Sequence, residues 1–397
     1  MSTDLDHLLD GGRCLVCVGP GGVGKTSAAG ALGLACAHAG HRTAVLTIDP
    51  ARRLANALGL PEIGNTESDI SAQAFESRRL VAPPARLSAM MLDIKQAWDE
   101  VVARHHPSEE GRKRLLANPM YQALSTALAG SQEYMAMEKL YQLAHRETDP
   151  LDRIILDTPP AHHAVDFLEA PNKIVDALSN DATRWLLEPL TQKNSVGRRL
   201  FDVGSGLFIR TVARLTGNEI LSQLGQLLEG FQAMMDGFSE RARAVDALLS
   251  SEATRFVVVS RPTPDGVVAA GAFVERLRAR SALVAAVVLN RAPLDLPDVG
   301  PRRPLPEGWV QAVEGAGGTP ILAQRVHDAA CDAADARAVA RDRALELAGS
   351  TGLPIFLIPQ LDVDVADLAG LDALRRKLTL AAVHSSGRAS SRAGSVR

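Results

Sequence analysis

A glycine-rich segment at residues 19–27, GPGGVGKTS, constrains this chain more than any other feature. It satisfies the pattern G-x-x-x-x-G-K-[ST], follows the apolar run CLVCV at 14–18, and precedes an alanine-rich helical pattern at 28–39. Glycines let a backbone wrap closely around phosphate oxygens, so that successive N–H groups and the helix N-terminus point at the anion. The pattern therefore predicts a strand, a phosphate-binding loop and a helix.

Two side chains of this loop and two carboxylates further along have the chemistry that a nucleotide phosphate needs. Lys25 provides a positive charge for the terminal phosphates, and the Thr26 hydroxyl is a ligand for Mg2+. Asp49 and Asp157 each end an apolar strand pattern. A carboxylate at the C-terminal end of a parallel strand faces the ligand crevice of an α/β sheet. Asp157 has the form of the second acidic motif that holds Mg2+, often through water.

Three more apolar runs predict strands at 256–260, 283–290 and 354–359. They are rich in Val, Ile and Leu, and strands buried on both faces are typical of a parallel sheet covered by helices. Longer stretches than one crossover needs precede residue 157 and residue 256, and residues 218–249 carry apolar side chains at helical spacing. We therefore predict an α/β fold of the P-loop type, with a doubly wound, mostly parallel sheet and an inserted α-helical subdomain.

The motifs together resemble those of the ArsA family of arsenite-pump and tail-anchored-protein-targeting ATPases, within the deviant Walker A class. The resemblance rests on the phosphate loop, on Asp49-Pro50-Ala51, on DTPPAHH at 157–163 and on Leu289-Asn290-Arg291. It extends from about residue 12 to 380. Two stretches, at 89–93 and 132–140, resemble the bacterial, actinobacterial-type branch in particular.

The resemblance implies ATP and Mg2+ as cofactors and a role for each matching residue. The phosphates would be held by Gly21, Gly22, Val23, Gly24, Lys25, Thr26 and Ser27. Asp49 would position or activate the attacking water, and Asp157 would support Mg2+ together with Thr26. Asn290 would read the adenine edge, while Gln360 and Leu361 would close over the base. The alternatives are a strand-end or capping role for Asp49 and a turn-forming role for Asn290.

One position departs from the family pattern. Members of the class carry a lysine at the second position of the loop, where it reaches the partner's phosphates across a dimer, and this chain has Pro20 there. Three explanations stay open. Arg52 or Arg53 substitutes for the charge; a companion subunit that retains its lysine completes the site in a heterodimer; or the chain binds ATP and scarcely hydrolyses it.

The function that the resemblance implies is a Mg-ATP-dependent switch ATPase. It would work as a homodimer, or as a heterodimer with a companion ArsA-like subunit, and couple nucleotide state to a helical surface that binds a client or membrane partner. The alternative is a hydrolysis-poor scaffold subunit beside a companion ATPase. A metalloid-pump subunit is less favoured, because soft ions select clustered thiolates and Cys331 stands alone in its region. Methionines in the helical insertion favour core or subunit-interface packing over a groove for a hydrophobic membrane-protein client.

The resemblance also predicts a domain division. The predicted ATPase core comprises 1–84, with the phosphate loop and switch I, 151–170, with a core strand and switch II, and a C-terminal part at 253–383. The predicted helical subdomain comprises a first part at 85–150 and a second part at 171–252. A disordered tail is predicted at 384–397.

Charge and hydropathy bear on partners and location. A net charge of −3 gives no field that would draw the chain onto nucleic acid. No apolar run reaches the length of a membrane span, and the start MSTDLDHLLDGG lacks the layout of a signal peptide, so a cytoplasmic protein without an integral membrane segment is expected. Cys14 and Cys17 lie in one strand pattern and face opposite sides, which disfavours a shared metal or disulfide.

Overall fold

The computed structural model describes most of the chain. The described residues are 12–49, 53–60, 63–127, 131–159, 223, 226–227, 229–231, 234–293, 304–361 and 365–382. Arg52, the end of the DTPPAHH motif and the predicted tail at 384–397 lie outside them, and what the sequence predicts there stays a prediction.

One nine-stranded sheet forms the centre of the described structure. Its strands are β1 (Cys14–Val18), β2 (Thr43–Thr47), β3 (Ser68–Asp69), β4 (Leu87–Met91), β5 (Arg153–Asp157), β6 (Thr254–Ser260), β7 (Val284–Ala292), β8 (Ile355–Pro359) and β9 (Thr379–Ala382). Their order is β3-β4-β2-β5-β1-β6-β7-β8-β9. Neighbours from β4 to β8 run parallel, while the edge strands β3 and β9 are antiparallel. The predicted α/β fold with a mostly parallel sheet is confirmed.

Helices cover both faces of this sheet. They are α1 (Lys25–His38), α2 (Arg53–Leu58), α3 (Ala72–Glu76), α4 (Ile94–His105), α5 (Glu109–Ala117), α6 (Pro119–Ala127), α7 (Ser131–Ala144), α8 (Met235–Leu249), α9 (Pro264–Arg278), α10 (Trp309–Gly315), α11 (Pro320–Thr351) and α12 (Leu368–Lys377). Alternate residues of β1 enter two separate cores, with Cys14 in one and Cys17 in the other. The two cysteines therefore face opposite sides of the sheet, as their spacing predicts.

Helix α1 packs closely on the sheet because small residues line it. A Cβ on Gly33 would lie only 2.4 Å from Val45 Cγ2, and one on Gly30 would lie 3.1 Å from a methyl group of Leu371 on α12. Larger side chains at these two positions would push α1 off β2 or α12. The small residues thus fix the start of α1, at Lys25, against the carboxyl edge of the central strands.

Within the range 85–150, which the sequence analysis predicts as the first part of the helical subdomain, the first element is a strand. Strand β4 falls within the range 85–150, yet it pairs with β2 in the sheet, so the helices of this segment begin at Ile94. An unbroken apolar run can be a strand or a buried helix by pattern alone, and only its pairing with β2 distinguishes the two. Helices α4 to α8 then pack around aromatic side chains, with the Trp98 ring 5.6 Å from Phe231 and 5.9 Å from Phe238.

Most described methionines of this region lie inside the protein. Met90, Met135, Met137 and Met234 are each at most 3% exposed and belong to the core between the sheet and the helices. Their burial agrees with the core-packing interpretation of the methionines. Within the described ranges, no helix combines the length and the apolar character needed to cross a bilayer.

Candidate functional site

The glycine-rich segment forms a loop between β1 and α1 that only glycine can build at several positions. Gly22 and Gly24 have φ angles of 71° and 94°, in the left-handed region that L side chains rarely adopt. A Cβ on Gly24 would lie 2.2 Å from the Asn290 side-chain nitrogen, and one on Gly19 would lie 2.0 Å from the Val259 carbonyl oxygen. The loop therefore packs directly against the ends of β6 and β7.

Three side chains bind carbonyl oxygens of this loop. Lys25 Nζ donates to Pro20 O at 3.0 Å, Arg261 Nη2 donates to Gly22 O at 3.2 Å, and Asn290 Nδ2 donates to Val23 O at 2.8 Å. The C=O and N–H of a trans peptide point in opposite directions. Fixing the Gly22 and Val23 carbonyls towards β6 and β7 therefore directs the next two N–H groups, of Val23 and Gly24, away from these strands. This is the arrangement that a phosphate-binding loop needs.

Lys25, at the start of α1, lies in a largely buried position with 8% exposure. Burial lowers the pKa of its ammonium group, and the nearby carboxylates of Asp157 and Asp49 counteract this effect. The Arg53 charge lowers the pKa further, so Arg53 lies within electrostatic reach of Lys25. Burial removes water from the ammonium group, and a bound anion would stabilise its charged form. This property is expected of a phosphate site.

The Thr47 hydroxyl contacts both the Asp157 side chain and the Asp49 backbone. The register pairs Thr47 of β2 with Asp157 of β5 and brings Asp157 beside Cys17 of β1, so the carboxyl ends of three strands converge. Thr47 Oγ1 donates to Asp157 Oδ2 at 2.9 Å and accepts from the Asp49 backbone N–H at 3.2 Å. Thr47 is a site residue that sequence analysis missed, although it is the last residue of β2 and lies two residues before Asp49.

Asp157 is fully buried, and its Oδ1 accepts no hydrogen bond from the described residues. Burial raises the pKa of its carboxyl group to about 6, against the lowering effect of the Thr26 and Thr47 hydroxyls and of Lys25. An unpartnered carboxylate oxygen beside a threonine hydroxyl offers the hard oxygen donors that Mg2+ prefers. These residues therefore fit a magnesium ion, with Thr26 and Asp157 as the groups that would hold it.

The residues predicted to bind the base lie together at the neighbouring strand ends. Asn290 Oδ1 accepts from the Arg291 backbone N–H at 2.9 Å, so the side chain that contacts Val23 is held at both ends. The Gln360 backbone N–H donates to Ala292 O at 2.7 Å, which ties the segment after β8 to β7. Leu361 packs against the core beside it. The adenine contacts stay predictions; what the structure adds is that Asn290 braces the phosphate loop.

Arg261 is the second site residue that sequence analysis missed. It directly follows β6, which is the parallel neighbour of β1, so it lies at the same carboxyl edge as Asp49 and Asp157. The signal in the sequence was the one used for the two aspartates, namely a charged residue immediately after an apolar strand pattern. By contrast, Arg53 is exposed on α2 and makes no hydrogen bond to the loop among the described residues.

Replacing Asp157 with asparagine should stabilise the nucleotide-free protein. The variant removes a buried charge whose Oδ1 has no hydrogen-bond partner, and we expect the free energy of unfolding to rise by about 1–3 kcal/mol at pH 7.5 in EDTA. Urea unfolding measures it. The matched control is Asp152→Asn just before β5, where the exposed carboxylate accepts from the Arg42 N–H at 2.8 Å and its loss should be slightly destabilising. A destabilised Asp157→Asn protein would contradict this account.

Comparisons with known proteins agree with this geometry. Residues 12–294 match the family described as anion-transporting ATPase. The chain is 26% identical over 289 residues to the ATPase ARSA1 of Chlamydomonas reinhardtii, which covers 69% of this chain and 34% of that protein. It is 27% identical over 167 residues to the ATPase GET3 of Malassezia globosa, covering 42% and 45%. The chain spans less than half the length of the first curated relatives it matches. Because the family match includes β1 to β7 and the phosphate loop, the chain belongs to the anion-transporting ATPases, the ArsA family.

Proposed function

We propose that this chain is a Mg-ATP-dependent switch ATPase of the deviant Walker A class that works as a dimer. The observation that carries the proposal is the hydroxyl of Thr47, which joins Asp49 and Asp157 beside Lys25 and the phosphate loop. Transfer of the γ-phosphoryl group of ATP to water requires positioning and charge neutralisation rather than a covalent intermediate. The described edge of the sheet supplies both kinds of group.

Each residue has a distinct task in the proposed reaction. The loop N–H groups and the Lys25 ammonium bind and neutralise the phosphates. Asp49 orients the attacking water and accepts its proton as the bond from the water oxygen to the γ-phosphorus forms and the bond from that phosphorus to the ADP oxygen breaks. Thr26 and Asp157 hold the magnesium ion, which supplies further charge neutralisation on the phosphate oxygens when bound. Thr47 keeps the backbone of Asp49 aligned with Asp157.

A hydrogen bond supports coupling between this site and the helical part. Gln132 on α7 donates from Nε2 to Ile48 O at 2.5 Å, one residue before Asp49. A shift of Asp49 between nucleotide states would therefore displace α7 through this hydrogen bond. Helix α7 packs against α4 and α8 in the same core. We propose that this helical surface is the one whose shape depends on nucleotide, and that a hydrophobic client or a membrane partner binds there.

Pro20 favours one second candidate function. It offers only its carbonyl, which accepts from Lys25, and it adds no positive charge to the loop. A chain that lacks one positive charge in its loop would bind nucleotide and hydrolyse it slowly, and so serve as the scaffold subunit of a heterodimer with a companion ATPase.

We also propose that the chain belongs to the bacterial, actinobacterial-type branch of the family, on the basis of the sequence stretches at 89–93 and 132–140.

Two measurements on the full chain test the proposed function. Binding of ATP is measured by calorimetry with Mg2+ and with EDTA, and phosphate release is measured at steady state with Mg-ATP. We expect Mg-dependent binding and turnover, together with a doubling of the mass in light scattering when a non-hydrolysable ATP analogue is present. Binding without turnover would favour the scaffold candidate, whereas no detectable binding of Mg-ATP would contradict both candidates.

A further inference from the structure

A polar cavity lies between β4, the helices α4 and α7, and the segment 63–67. Its volume is about 370 Å³, within the range of roughly 300–1,000 Å³ that is typical of sites for small molecules. Met90 and Leu143, both buried, form an apolar wall. The other side chains that line the cavity are polar or charged. The space is therefore large enough for a small organic ligand with a polar group.

The charged side chains that line this cavity are three cations, Arg104, Lys139 and Arg146, and two carboxylates, Glu67 and Glu100. Both carboxylates have partners within the protein. Lys139 Nζ donates to Glu100 Oε2 at 2.7 Å, and Arg146 Nη1 donates to Glu67 Oε1. These two pairs balance each other in charge, and the charge of Arg104 is left over. The lining of the cavity thus has an excess of positive charge.

The cations also have more hydrogen-bond donors than the protein uses. Arg104 is exposed to solvent and makes no hydrogen bond or ion pair with the residues that the structure describes. The Nε and Nη2 atoms of Arg146 are buried without a hydrogen-bond partner in the same ranges, and Asp149 Oδ2 is 3.7 Å from Nη2. Lys139 has one N–H beyond its two hydrogen bonds. Because a buried donor without a partner costs about 1–3 kcal/mol, a ligand that supplies acceptor oxygens would stabilise this cluster.

The wall formed by the segment 63–67 is fixed before any ligand binds. Asn65 Nδ2 donates to Asp93 O at 2.9 Å, and Asn65 Oδ1 accepts from the Asp93 backbone N–H at 2.7 Å. Glu67 Oε2 accepts from Ser88 Oγ on β4 at 2.7 Å. These bonds hold the segment on the sheet and leave Glu67 in place to orient Arg146. A wall that is already ordered limits the entropy lost on binding.

The cavity is separate from the phosphate loop. Helix α7 reaches the phosphate site at its first turn, where Gln132 donates to Ile48 O. Lys139 lies two turns further along the same helix, about 10 Å from Gln132 along the axis, and Arg146 follows the end of the helix. The lining contains none of the residues assigned to the nucleotide. A ligand in this cavity therefore occupies a second site.

We propose that this cavity, here called the anion cavity, binds a small organic anion through Arg104, Lys139 and Arg146. The acidic group of the ligand, a carboxylate or a phosphate, accepts from the unused donors of these three side chains. A guanidinium fork matches the oxygens of either group. The carbon part of the ligand packs against Met90 and Leu143. The proposal does not depend on the proposed ATPase function.

The test is calorimetry on the full chain in EDTA, without nucleotide and at constant ionic strength. The probes are citrate for carboxylates and glycerol 3-phosphate for phosphates, with butane-1,4-diamine as the cationic control. We expect at least one of the two anions to bind with a dissociation constant below about 1 mM, and the diamine not to bind. Binding of citrate alone identifies a carboxylate site, binding of glycerol 3-phosphate alone identifies a phosphate site, and each result supports the proposal.

Two variants test the assigned contacts. Arg104→Gln, and Arg146→Lys, which keeps a charge beside Glu67 but loses the guanidinium fork, should each weaken anion binding by about 10-fold or more. The matched control is Arg114→Gln, which removes an exposed arginine of α5 outside the cavity and should leave the affinity unchanged.

A third variant, Lys25→Met, separates the anion cavity from the phosphate loop. It removes the cation of the loop and should also leave the affinity for citrate or glycerol 3-phosphate unchanged. Anion binding that is lost in Lys25→Met and kept in Arg104→Gln would place the anion in the phosphate loop and overturn the proposal. The absence of binding by both anions, or equal binding of the diamine, would overturn it as well. None of these results bears on turnover of ATP, so the proposed function is tested separately.

Discussion

Replacing Asp49 with asparagine is expected to lower phosphate release by about 10^2- to 10^4-fold while the affinity for Mg-ATP changes by less than about threefold. The substitution keeps the size of the side chain and the backbone N–H that donates to Thr47 Oγ1. It removes the carboxylate that would accept a proton from the attacking water. Binding relies on the loop and on Lys25, which the variant leaves in place, so the effect should fall mainly on turnover.

The measurement is phosphate release, at steady state and in a single turnover with protein in excess, beside the dissociation constant for Mg-ATP. Asp342→Asn is the matched control, since it removes an exposed carboxylate from α11 and should leave turnover at the wild-type value. Turnover in Asp49→Asn equal to that of wild type would remove Asp49 from the reaction and favour its role as a strand-end residue.

Replacing Arg241 with methionine is expected to lower the free energy of unfolding by about 3–5 kcal/mol. Arg241 on α8 donates from Nε to Glu138 Oε2 on α7 at 2.6 Å, and the two side chains are 8% and 4% exposed. The guanidinium also lies 5.0 Å above the Phe238 ring. Methionine fills much of the same volume but leaves Glu138 as a buried charge without this partner, and the uncompensated charge is what destabilises the fold.

Urea unfolding followed by circular dichroism measures this loss. The double variant Glu138→Leu with Arg241→Met removes both charges and should recover most of the stability, because a well-packed apolar pair can replace a buried ion pair. Lys113→Met is the second control. It breaks an exposed pair with Glu109 at 2.9 Å, whose side chains are 74% and 68% exposed, and should cost less than about 1 kcal/mol. A double variant less stable than Arg241→Met would contradict the explanation by buried charge.

The strands and their class were predictable because burial on both faces leaves a strong local signature. Strands β1, β5 and β6 occupy the centre of the sheet, and their sequences are nearly continuous apolar runs. Strands at or near the edge of the sheet were harder to predict. Strand β3 has only two residues, Ser68 and Asp69, and no pattern of that length rises above chance. Strand β4 lies within the range 85–150 predicted for the helical subdomain, and its run LSAMM does not by its pattern distinguish a buried strand from a buried helix.

The candidate site was predictable to the extent that its chemistry lies in contiguous residues. Lys25 and Thr26 follow from the glycine pattern, and Asp49 and Asp157 follow from their positions after strands. Thr47 gave no such signal, because a threonine inside an apolar strand is an ordinary β-former until its hydroxyl is seen between two other groups.

The order of residues along the chain by itself determined the phosphate loop, the strand-end carboxylates and the class of the fold, because each depends on local conformation and on burial patterns a few residues long. Only the tertiary structure decided which side chains hold the loop. Arg261 and Asn290 lie more than two hundred residues from Gly22 and Val23, and they meet the loop because β6 and β7 follow β1 across the sheet. Strand order is set by long-range packing, and no local pattern records it.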